Sequence, residues 1–426
     1  MSSTAPPAGG AVADVTLSPS LGTQEGTRLD WRRGLLLAGG LFLLLCLIRT
    51  FTGAEDLTSG GQINAAITLA VPVGLAALGG LWSERAGVVN IGLEGMMILG
   101  TWSGAFCALS FHSAWMGLLG GIVGGALGGL LHAIATVTFG VDHIVSGVAL
   151  NIIGAGVARY LAVLAWTGKG GGATQSPQVP GFDTVGVPGI SGPLQSVESL
   201  HWFLISDLAG LLRGVTTNLT WLTIIAVLMV PLSFAVLWRT SFGLRLRSCG
   251  ENPVAAETLG VNVYRMKYAA VIISGGLAGM AGAFLVNVAS IYREGQTGGR
   301  GYIGLAAMIF GNWRPGGLGA GAALFGFTDA LQSRQNSSVH ALLLFVAILV
   351  LALAAWNLWR RRWFQGIAGV VVAVLVVAWY FASNTVPQEL IAYTPHITTL
   401  LVLSLAAQRL RMPAADGVVY RRGQGG

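Results

Sequence analysis

The sequence predicts an all-α, polytopic membrane protein. Of its 426 residues, 54% are hydrophobic and only 10% are charged, whereas a soluble globular chain carries roughly 25% charged residues. The mean hydropathy is +0.70. Glycine contributes 63 residues, about twice its usual share of ~7%, and small residues let membrane helices pack closely. These three observations place the chain in the membrane class and exclude a soluble enzyme or binding domain.

Apolar runs of spanning length follow one another along the chain, and a spanning helix needs about 20 apolar residues. The region 302–332 is interrupted at Asn312–Pro315, so we interpret it as two shorter segments, 302–312 and 316–332. With these two, we expect about 10–12 membrane segments. The other candidates are 34–51, 63–82, 88–110, 115–137, 145–166, 219–238, 268–288, 340–359, 366–382 and 389–408.

Basic residues predict the orientation, because Lys and Arg concentrate in cytoplasmic loops. With the N-terminus inside, 17 of the 24 basic residues fall on the cytoplasmic side, and the other seven are Arg49, Arg159, Lys169, Arg213, Arg293, Arg300 and Arg334. We therefore expect both termini in the cytoplasm, with a disordered tail at 1–30, a transmembrane domain over 31–412 and a second tail at 413–426. The net charge of +7 reflects these loops and does not indicate nucleic-acid binding.

The longest predicted extracytoplasmic loop is 167–218. Its Gly, Pro and Ser content is typical of turns and argues against a folded domain, although 201–212 fits a short interfacial helix. The longest cytoplasmic loop is 239–267. There Asn252 can cap a helix, Pro253 suits its first position and Gly260 can end it, which predicts a short helix over 253–259. A solvated helix without a partner remains an alternative interpretation.

Two further patterns concern how the spans pack. GLLGGIVGGALGG at 117–129 contains two GxxxG registers, which favour close helix contacts. IGLEGMMILG at 91–100 resembles IGLAAMIFG at 303–311, and each copy follows a Gly-rich span. In the predicted topology the copies run in opposite directions, which indicates two inverted-topology repeats with a transport pathway at their interface. A chance match of Gly-, Leu- and Met-rich segments is the alternative.

Polar residues inside the spans are the candidates for that pathway. Asn90 and Glu94 are four residues apart and are predicted to share one helix face, and Asn151 is a similar polar insertion. A carboxylate in lipid is costly, so Glu94 should face protein or a watery cavity. It either shapes or gates a polar route, or it is a structural carboxylate satisfied by Asn90 or by backbone donors at a helix break. Small-residue walls are expected from Gly92, Gly95 and Gly304.

Motifs for catalysis or nucleotide binding are missing from the sequence. TGKGGG at 167–172 lacks the upstream glycine and the Ser or Thr of a phosphate-binding loop, and the His and Cys residues show no metal-ligand spacing. We therefore expect no cofactor, no metal and no catalytic residue in this chain. An ion-coupled secondary transporter of a small polar solute is the alternative, but it would use several ionisable residues in its spans. A membrane enzyme acting on lipid is a further alternative, but the sequence contains no catalytic constellation to support it.

The stretch ERAGVVNIGLEGMMILG, residues 84–100, resembles the signature of integral-membrane permeases of bacterial ABC importers. The resemblance is to the nucleoside and simple-sugar branch, which is related to the ribose and branched-chain amino-acid permeases. It covers roughly 60–165, 220–335 and 388–423. Other stretches that agree are 242–285, EGQTGGRGYIGLAAMIFGNWRP at 294–315, FGFTDALQ at 325–332 and PAADGVVYRRG at 413–423.

The resemblance implies an importer subunit that works by alternating access in a bacterial cytoplasmic membrane. Residues 250–261 would form the coupling helix, whose candidate contact residues are Gly250, Glu251, Asn252, Pro253, Ala255, Ala256, Glu257 and Gly260. The implied partners are membrane lipid, a cytoplasmic ATP-binding subunit that holds ATP and Mg²⁺, a second permease, identical or homologous, and an extracytoplasmic substrate-binding lipoprotein. The chain departs from the family pattern in its 1–30 tail, its long 167–218 loop and an extra helical pair at 340–382.

Overall fold

A computed structural model describes residues 31–172, 174–332, 336–383, 385–387, 390 and 410–423. The chain forms two units, Met1–Leu44 and Leu45–Gly426; in the first, the described residues are the beginning of the first helix. The predicted tail at 1–30 lies outside the described residues, as does the predicted span 389–408 apart from Leu390.

The described chain is helical almost throughout, which confirms the all-α membrane fold. The first nine helices in chain order are α1 (Trp31–Thr52), α2 (Gly60–Arg85), α3 (Leu93–Phe111), α4 (Ala114–Ala133), α5 (His143–Trp166), α6 (Ser191–Glu198), α7 (Ile205–Thr216), α8 (Trp221–Arg239) and α9 (Ser241–Glu251). They are followed by α10 (Pro253–Thr258), α11 (Val263–Ala289), α12 (Arg300–Phe310), α13 (Pro315–Gln332), α14 (Asn336–Trp359) and α15 (Trp363–Ala382).

Shorter elements connect these helices. A 3₁₀ turn spans Glu55–Thr58, a π-helical turn (Ile134–Thr138) continues α4, and strands β1 (Thr184–Val185) and β2 (Leu219–Thr220) pair antiparallel. Within the described residues, seven helices are long and apolar enough to cross a membrane: α2, α4 with its π-helical turn, α5, α8, α11, α14 and α15. Ala38–Thr52 and Arg300–Phe310 are shorter apolar helices.

Polar side chains fix where several helices begin. The Ser59 side chain accepts the Gln62 N–H at the start of α2, and the Asp142 carboxylate accepts the N–H groups of Ile144 and Val145 at the start of α5. Asn262 accepts the Arg265 N–H at the start of α11. Each cap satisfies a backbone donor that the helix itself leaves unpaired, so the spans begin where the sequence supplies a capping residue.

Helices α2 and α11 form the centre of the bundle. They pack against each other, and their other contacts are crossed: α2 packs against α13 and α12, whereas α11 packs against α4 and α3. The apolar core that results buries Leu78 of α2, Phe284 of α11 and Phe325 of α13. The first helix of each trio, α2–α4 and α11–α13, therefore packs against the second and third helices of the other trio.

The two copies of the repeat run in opposite directions, as predicted. We call the end of the bundle that carries residues 167–218 the loop end, and the opposite end the α10 end. Helix α3 runs toward the loop end, where Ala108 lies beside Val179. Helix α12 runs toward the α10 end, where the Trp313 carbonyl accepts hydrogen bonds from the Arg85 guanidinium. This arrangement is an inverted repeat, with α3 and α12 in equivalent positions.

Glycine contacts hold these helices together. In α4, a side chain at Gly121, Gly125 or Gly129 would collide with α11, and a side chain at Gly120 or Gly124 would collide with α3. The two predicted GxxxG registers thus serve two different neighbours, which confirms their packing role.

Two predicted boundaries are also informative. The interruption in 302–332 separates α12 from α13, and its residues Asn312 and Trp313 adopt left-handed φ angles of 52° and 53°. The interfacial helix predicted over 201–212 is α7, which starts later, at Ile205. It starts there because the Asp207 carboxylate accepts the Leu204 N–H at 3.0 Å and so caps the first turn.

Candidate functional site

The segment before α3, residues 86–92, is a non-helical break of turns and irregular structure. Asn90 is fully buried in it: its Oδ1 accepts the Gly92 N–H at 3.1 Å, and its Nδ2 donates to the Ser274 hydroxyl of α11 at 2.9 Å. The prediction that Asn90 and Glu94 share a helix face is therefore wrong. The Asn90 side chain competes for a backbone N–H, and the helix begins only at Leu93.

Asn151 of α5 ties the same break to the second repeat. Its Oδ1 accepts the Gly95 N–H at 2.7 Å. Its Nδ2 donates to the Ile91 carbonyl at 3.0 Å and to the Tyr302 hydroxyl at 2.9 Å. The amide thus binds a carbonyl of the break, an N–H in the first turn of α3 and a side chain on α12, which fixes the entry into α3.

Glu94 binds the beginning of α12. Its two carboxylate oxygens accept the N–H groups of Gly299 at 3.0 Å and Gly301 at 2.7 Å, and the residue is 7% exposed. A carboxylate at a helix N-terminus satisfies unpaired donors and lies at the positive end of the helix dipole. The sequence left open whether Asn90 or backbone donors would satisfy Glu94. In the structure the donors are backbone N–H groups, and they belong to the other repeat.

The predicted wall glycines lie in tight helix contacts. A Cβ at Gly95 would lie 2.5 Å from the Leu150 carbonyl oxygen, and one at Gly92 would lie 3.0 Å from the Leu150 Cδ2. A Cβ at Gly304 would lie 2.7 Å from the Ala76 Cβ of α2. The structure therefore brings five of the six predicted pathway residues to one junction, where α3 meets α5 and α12, and places Gly304 on α12 against α2.

Sequence reasoning missed the other half of this junction. The donors that bind Glu94 come from Gly299 and Gly301, and Gly299 has a left-handed φ of 78°. Tyr302, which is 47% exposed, supplies the hydroxyl beside Asn151. The signal in the sequence was the run TGGRG immediately before an apolar helix, because such glycines let backbone N–H groups converge on an anion.

The predicted coupling segment, 250–261, lies at the α10 end, but it is not one helix: Gly250 and Glu251 end α9, and α10 begins at Pro253 after the extended Asn252. Asn252 caps α10 by accepting the Ala255 N–H at 3.0 Å, and Pro253 occupies the first position. The short helix is confirmed and ends one residue before the predicted position. Gly260 has a φ of 80° just after it. Pro253 and Ala256 are buried, whereas Leu259 is 83% exposed, so α10 offers an apolar tip to whatever lies beyond this end.

The C-terminal segment 410–423 packs on α10 and on the end of α9, which sequence reasoning did not foresee. The Ala415 N–H donates to the Gly250 carbonyl at 2.8 Å, and the Ala414 N–H donates to Glu251 at 3.3 Å. The Glu257 carboxylate accepts a hydrogen bond from the Tyr420 hydroxyl and pairs with Arg422 at 3.1 Å. The segment thus holds three of the predicted coupling residues.

A buried acidic cluster joins this segment to α2. Asp416 lies beside Glu84, whose Oε2 accepts the Trp313 indole N–H at 2.6 Å. Burial raises the pKa of the Asp416 carboxyl to about 7, although hydrogen bonding to Glu84 and the cations Lys267 and Arg85 oppose the rise. Near neutral pH a proton is therefore easily gained or lost at this contact.

Comparisons with known proteins agree with this architecture. A family profile described as "Branched-chain amino acid transport system / permease component" matches residues 62–355. The guanosine ABC transporter permease protein NupQ of Bacillus subtilis (strain 168) is 36% identical over 278 residues, which cover 63% of this chain and 81% of that protein. No solved structure matches the chain significantly.

Two further relatives carry related names. The nucleoside ABC transporter permease protein NupC of Lactococcus lactis subsp. cremoris (strain MG1363) is 32% identical over 359 residues, which cover 82% of this chain and 93% of that protein. The putative glucose ABC transporter permease protein TsgC13 of Haloferax volcanii is 35% identical over 285 residues, which cover 67% of this chain and 80% of that protein. The family match covers more than half of the chain, and the chain covers at least four fifths of each of these relatives.

Permease components of this kind are multi-pass membrane subunits that associate with an ATP-binding subunit and a substrate-binding protein, and they are transport components rather than enzymes. The residues matched by the family profile, 62–355, include nearly all of the two crossed, inverted repeats described above. This protein therefore belongs to the family of branched-chain amino acid transport system permease components.

Proposed function

We propose that the chain is the permease subunit of an ATP-driven importer that carries nucleosides across a bacterial cytoplasmic membrane. The observation that carries the proposal is α10, a short capped helix with an exposed tip, held at the end of the bundle by α9, α11 and the C-terminal segment. The nucleoside assignment rests on the relatives named for guanosine and nucleoside transport. The relative named for glucose keeps a simple sugar as the second candidate.

Helix α10 is placed to act as a lever. Glu251, the last residue of α9 just before α10, lies 3.7 Å from the Arg85 guanidinium at the end of α2, and the Lys267 ammonium of α11 donates to the Gly87 carbonyl at 3.2 Å. A push on α10 would therefore reach both central helices. Because those helices pack crosswise on the two repeats, the push would shift the repeats relative to each other, as alternating access requires.

The energy for that push comes from outside the chain. We assign ATP and Mg²⁺ to a separate cytoplasmic subunit that docks on α10, so the chain itself holds no cofactor. The α10 end faces the cytoplasm in this proposal, together with both termini. The density of basic residues there supports this orientation; they include Arg245, Arg247, Arg265, Lys267, Arg411, Arg421 and Arg422.

The pathway lies on the face that carries Asn151 and Tyr302. Tyr302 is half-exposed on the side of a membrane helix and carries a polar hydroxyl, and such a group is expected to face protein or water rather than lipid. We place a second permease, identical or homologous, against this face, with the polar route between the two subunits. An extracytoplasmic substrate-binding lipoprotein would deliver the ligand to the loop end.

Reconstitution tests the proposal. The chain is purified with the ATP-binding subunit, binding protein and any second permease from its own operon, and uptake of labelled guanosine and labelled glucose is measured in proteoliposomes. We expect guanosine uptake that requires ATP and Mg²⁺ and is unaffected by a protonophore. Uptake driven by a proton gradient without ATP would contradict the proposal, and ATP-driven uptake of glucose alone would contradict the nucleoside assignment.

A further inference from the structure

A polar cavity of about 280 Å³ opens at the loop end of the bundle. It lies between the end of α1, the 3₁₀ turn at Glu55–Thr58, and helices α6 and α7. The pathway and coupling residues described above are elsewhere in the fold. Its charged lining residues are Arg49, Glu55, Asp56, Glu198, His201 and Arg213.

Arg49 supplies the cavity with an unpaired cationic donor. The residue is 6% exposed, and its Nε lies 2.8 Å from Asp207. Asp207 is fully used by its own surroundings, because it also accepts the Leu204 N–H and the Thr58 hydroxyl. The Arg49 Nη2 is buried and has no hydrogen-bond partner among the described residues. A buried cationic donor without an acceptor is costly. Because Arg49 lines the cavity, its guanidinium is the group there that can bind an acceptor from outside the chain.

The remaining charges leave one acidic group open. Arg213 pairs with Glu198 at 2.9 Å, and His201 pairs with Glu55 at 2.9 Å. In the described part of the chain, Asp56 forms no ion pair with a basic side chain. The cavity therefore offers an unpaired cationic donor at Arg49 and an unpaired carboxylate at Asp56, which suits a ligand that carries both an anionic and a cationic group.

Helix α7 places this cavity at the surface of the bilayer. Its exposed apolar residues Ile205, Leu208, Leu212 and Val215 recur at helical spacing along one side, while Ser206, Asp207 and Arg213 belong to the polar side. A helix of this kind lies in the membrane interface with its apolar side in the acyl region. The exposed Phe51 of α1 and Trp202 before α7 fit the aromatic belt at the same depth.

We infer that this cavity binds the headgroup of a zwitterionic phospholipid such as phosphatidylethanolamine, with the phosphate at Arg49 and the ammonium at Asp56. A guanidinium is well suited to bind phosphate oxygens, and a carboxylate accepts from an ammonium. At ~30 Å³ per water the cavity holds about nine waters, room enough for a phosphoethanolamine group. The acyl chains would lie along the apolar side of α7.

The experiment uses the full-length protein in detergent, titrated with short-chain phosphatidylethanolamine, short-chain phosphatidylglycerol and free phosphoethanolamine, with binding followed by native mass spectrometry. We expect wild-type protein to prefer phosphatidylethanolamine. Arg49→Gln should weaken its binding about tenfold, as expected for a lost charged hydrogen bond. Arg159→Gln is the matched control, since the Arg159 side chain is 65% exposed at the same end and pairs with the exposed Glu294; this variant should bind normally.

A second variant covers the case in which Arg49→Gln disturbs the buried Asp207. Asp56→Asn changes a residue at the cavity mouth, and it should reduce the preference for phosphatidylethanolamine over phosphatidylglycerol while binding of the phosphate persists. Equal binding of both lipids to wild-type protein would overturn the inference. The inference would also be overturned if free phosphoethanolamine bound as tightly as the lipid. The same holds if guanosine or the binding protein, and not lipid, occupied the cavity. None of these outcomes bears on whether the chain transports nucleosides.

Discussion

Glu94 of α3 and Gly301 of α12 are joined by a 2.7 Å hydrogen bond from the Gly301 N–H to the Glu94 carboxylate. The second carboxylate oxygen accepts the Gly299 N–H. Residue 94 belongs to the first repeat, and both donors belong to the second. The corresponding position in the second copy is Ala306, which is buried, so the contact is made in one direction only. One acidic side chain thus links the starts of the two inverted elements.

Replacing Glu94 by Gln should destabilise the protein. The amide keeps the shape but loses the charge and one of the two acceptors, so either Gly299 or Gly301 loses its partner. We expect a loss of about 1–2 kcal/mol, the range of a capping contact at a helix N-terminus, measured by thermal unfolding in detergent. Glu294→Gln, which removes an exposed carboxylate paired with Arg159, should change stability little. Equal stability of both variants would show that the α12 contact contributes nothing.

Adding a methyl group to α4 should separate packing glycines from open ones. A Cβ at Gly125 would collide with the Gly275 carbonyl of α11, whereas a Cβ at Gly156 of α5 meets nothing within 4 Å. Gly125→Ala should therefore cost about 1–3 kcal/mol through overpacking, and Gly156→Ala should be neutral or slightly stabilising. Thermal unfolding of the two variants checks this, and the prediction fails if Gly125→Ala is as stable as Gly156→Ala.

The local features of the chain were predictable where one residue decides them. Asn252 and Pro253 set the start of α10, and the glycines of α4 set its packing, because capping and close approach depend on residue type and spacing. The junction between α3 and α12 was not predictable in the same way. Spacing suggested that Asn90 and Glu94 share a helix face, but Asn90 bonds to Gly92 and Ser274 instead.

Contacts between distant segments were the part that sequence could not supply. Glu94 and Gly301 are separated by more than 200 residues, and a single sequence without an alignment carries no information on which distant residues are in contact. The C-terminal segment is a second case. In the sequence, Tyr420 is an ordinary aromatic residue in a short tail. Only the fold shows that Tyr420 packs against Tyr264 and donates a hydrogen bond to Glu257.

Locking the backbone after α10 should uncouple ATP hydrolysis from uptake. Gly260 has a φ of 80°, whereas proline holds φ near −65°, so Gly260→Pro must change the direction in which α10 leaves the loop. We expect uptake to fall at least about tenfold while ATP hydrolysis by the partner subunit persists without stimulation by the ligand. Both activities are measured in proteoliposomes at matched levels of inserted protein.

The control for this variant is Gly189→Pro at the loop end. Gly189 has a similar φ of 77° and open space around it, so it carries the same backbone strain without touching α10. It should retain coupled transport. Glu257→Arg reverses the charge of the side chain that Tyr420 and Arg422 bind. This variant should lose coupled uptake in the same way as Gly260→Pro. If both variants show normal ligand-stimulated hydrolysis and uptake, α10 is not the coupling element.

Docking of the C-terminal segment should weaken as pH rises. Burial raises the pKa of Asp416 to about 7, whereas an unfolded Asp titrates near ~3.9. Between these values the docked state binds more protons than the released state, so the free energy of docking becomes less favourable with increasing pH. The contribution of Asp416 to the free energy of docking is fully present below pH ~4 and is lost as the pH passes about 7.

Hydrogen exchange of residues 410–423 measures this directly, with rates corrected for the intrinsic effect of pH. Between pH 6 and pH 8.5, wild-type protein should lose protection in this segment, while Asp416→Asn, which stays neutral beside Glu84, should keep it. Asp183→Asn, a change at an exposed loop-end residue, should behave like wild type. Glu84, Lys267 and Arg85 face the same cluster, so the comparison with Asp416→Asn, and not the pH profile alone, assigns the change to Asp416. A wild-type segment whose protection is constant, or rises with pH, would contradict the assigned role of Asp416.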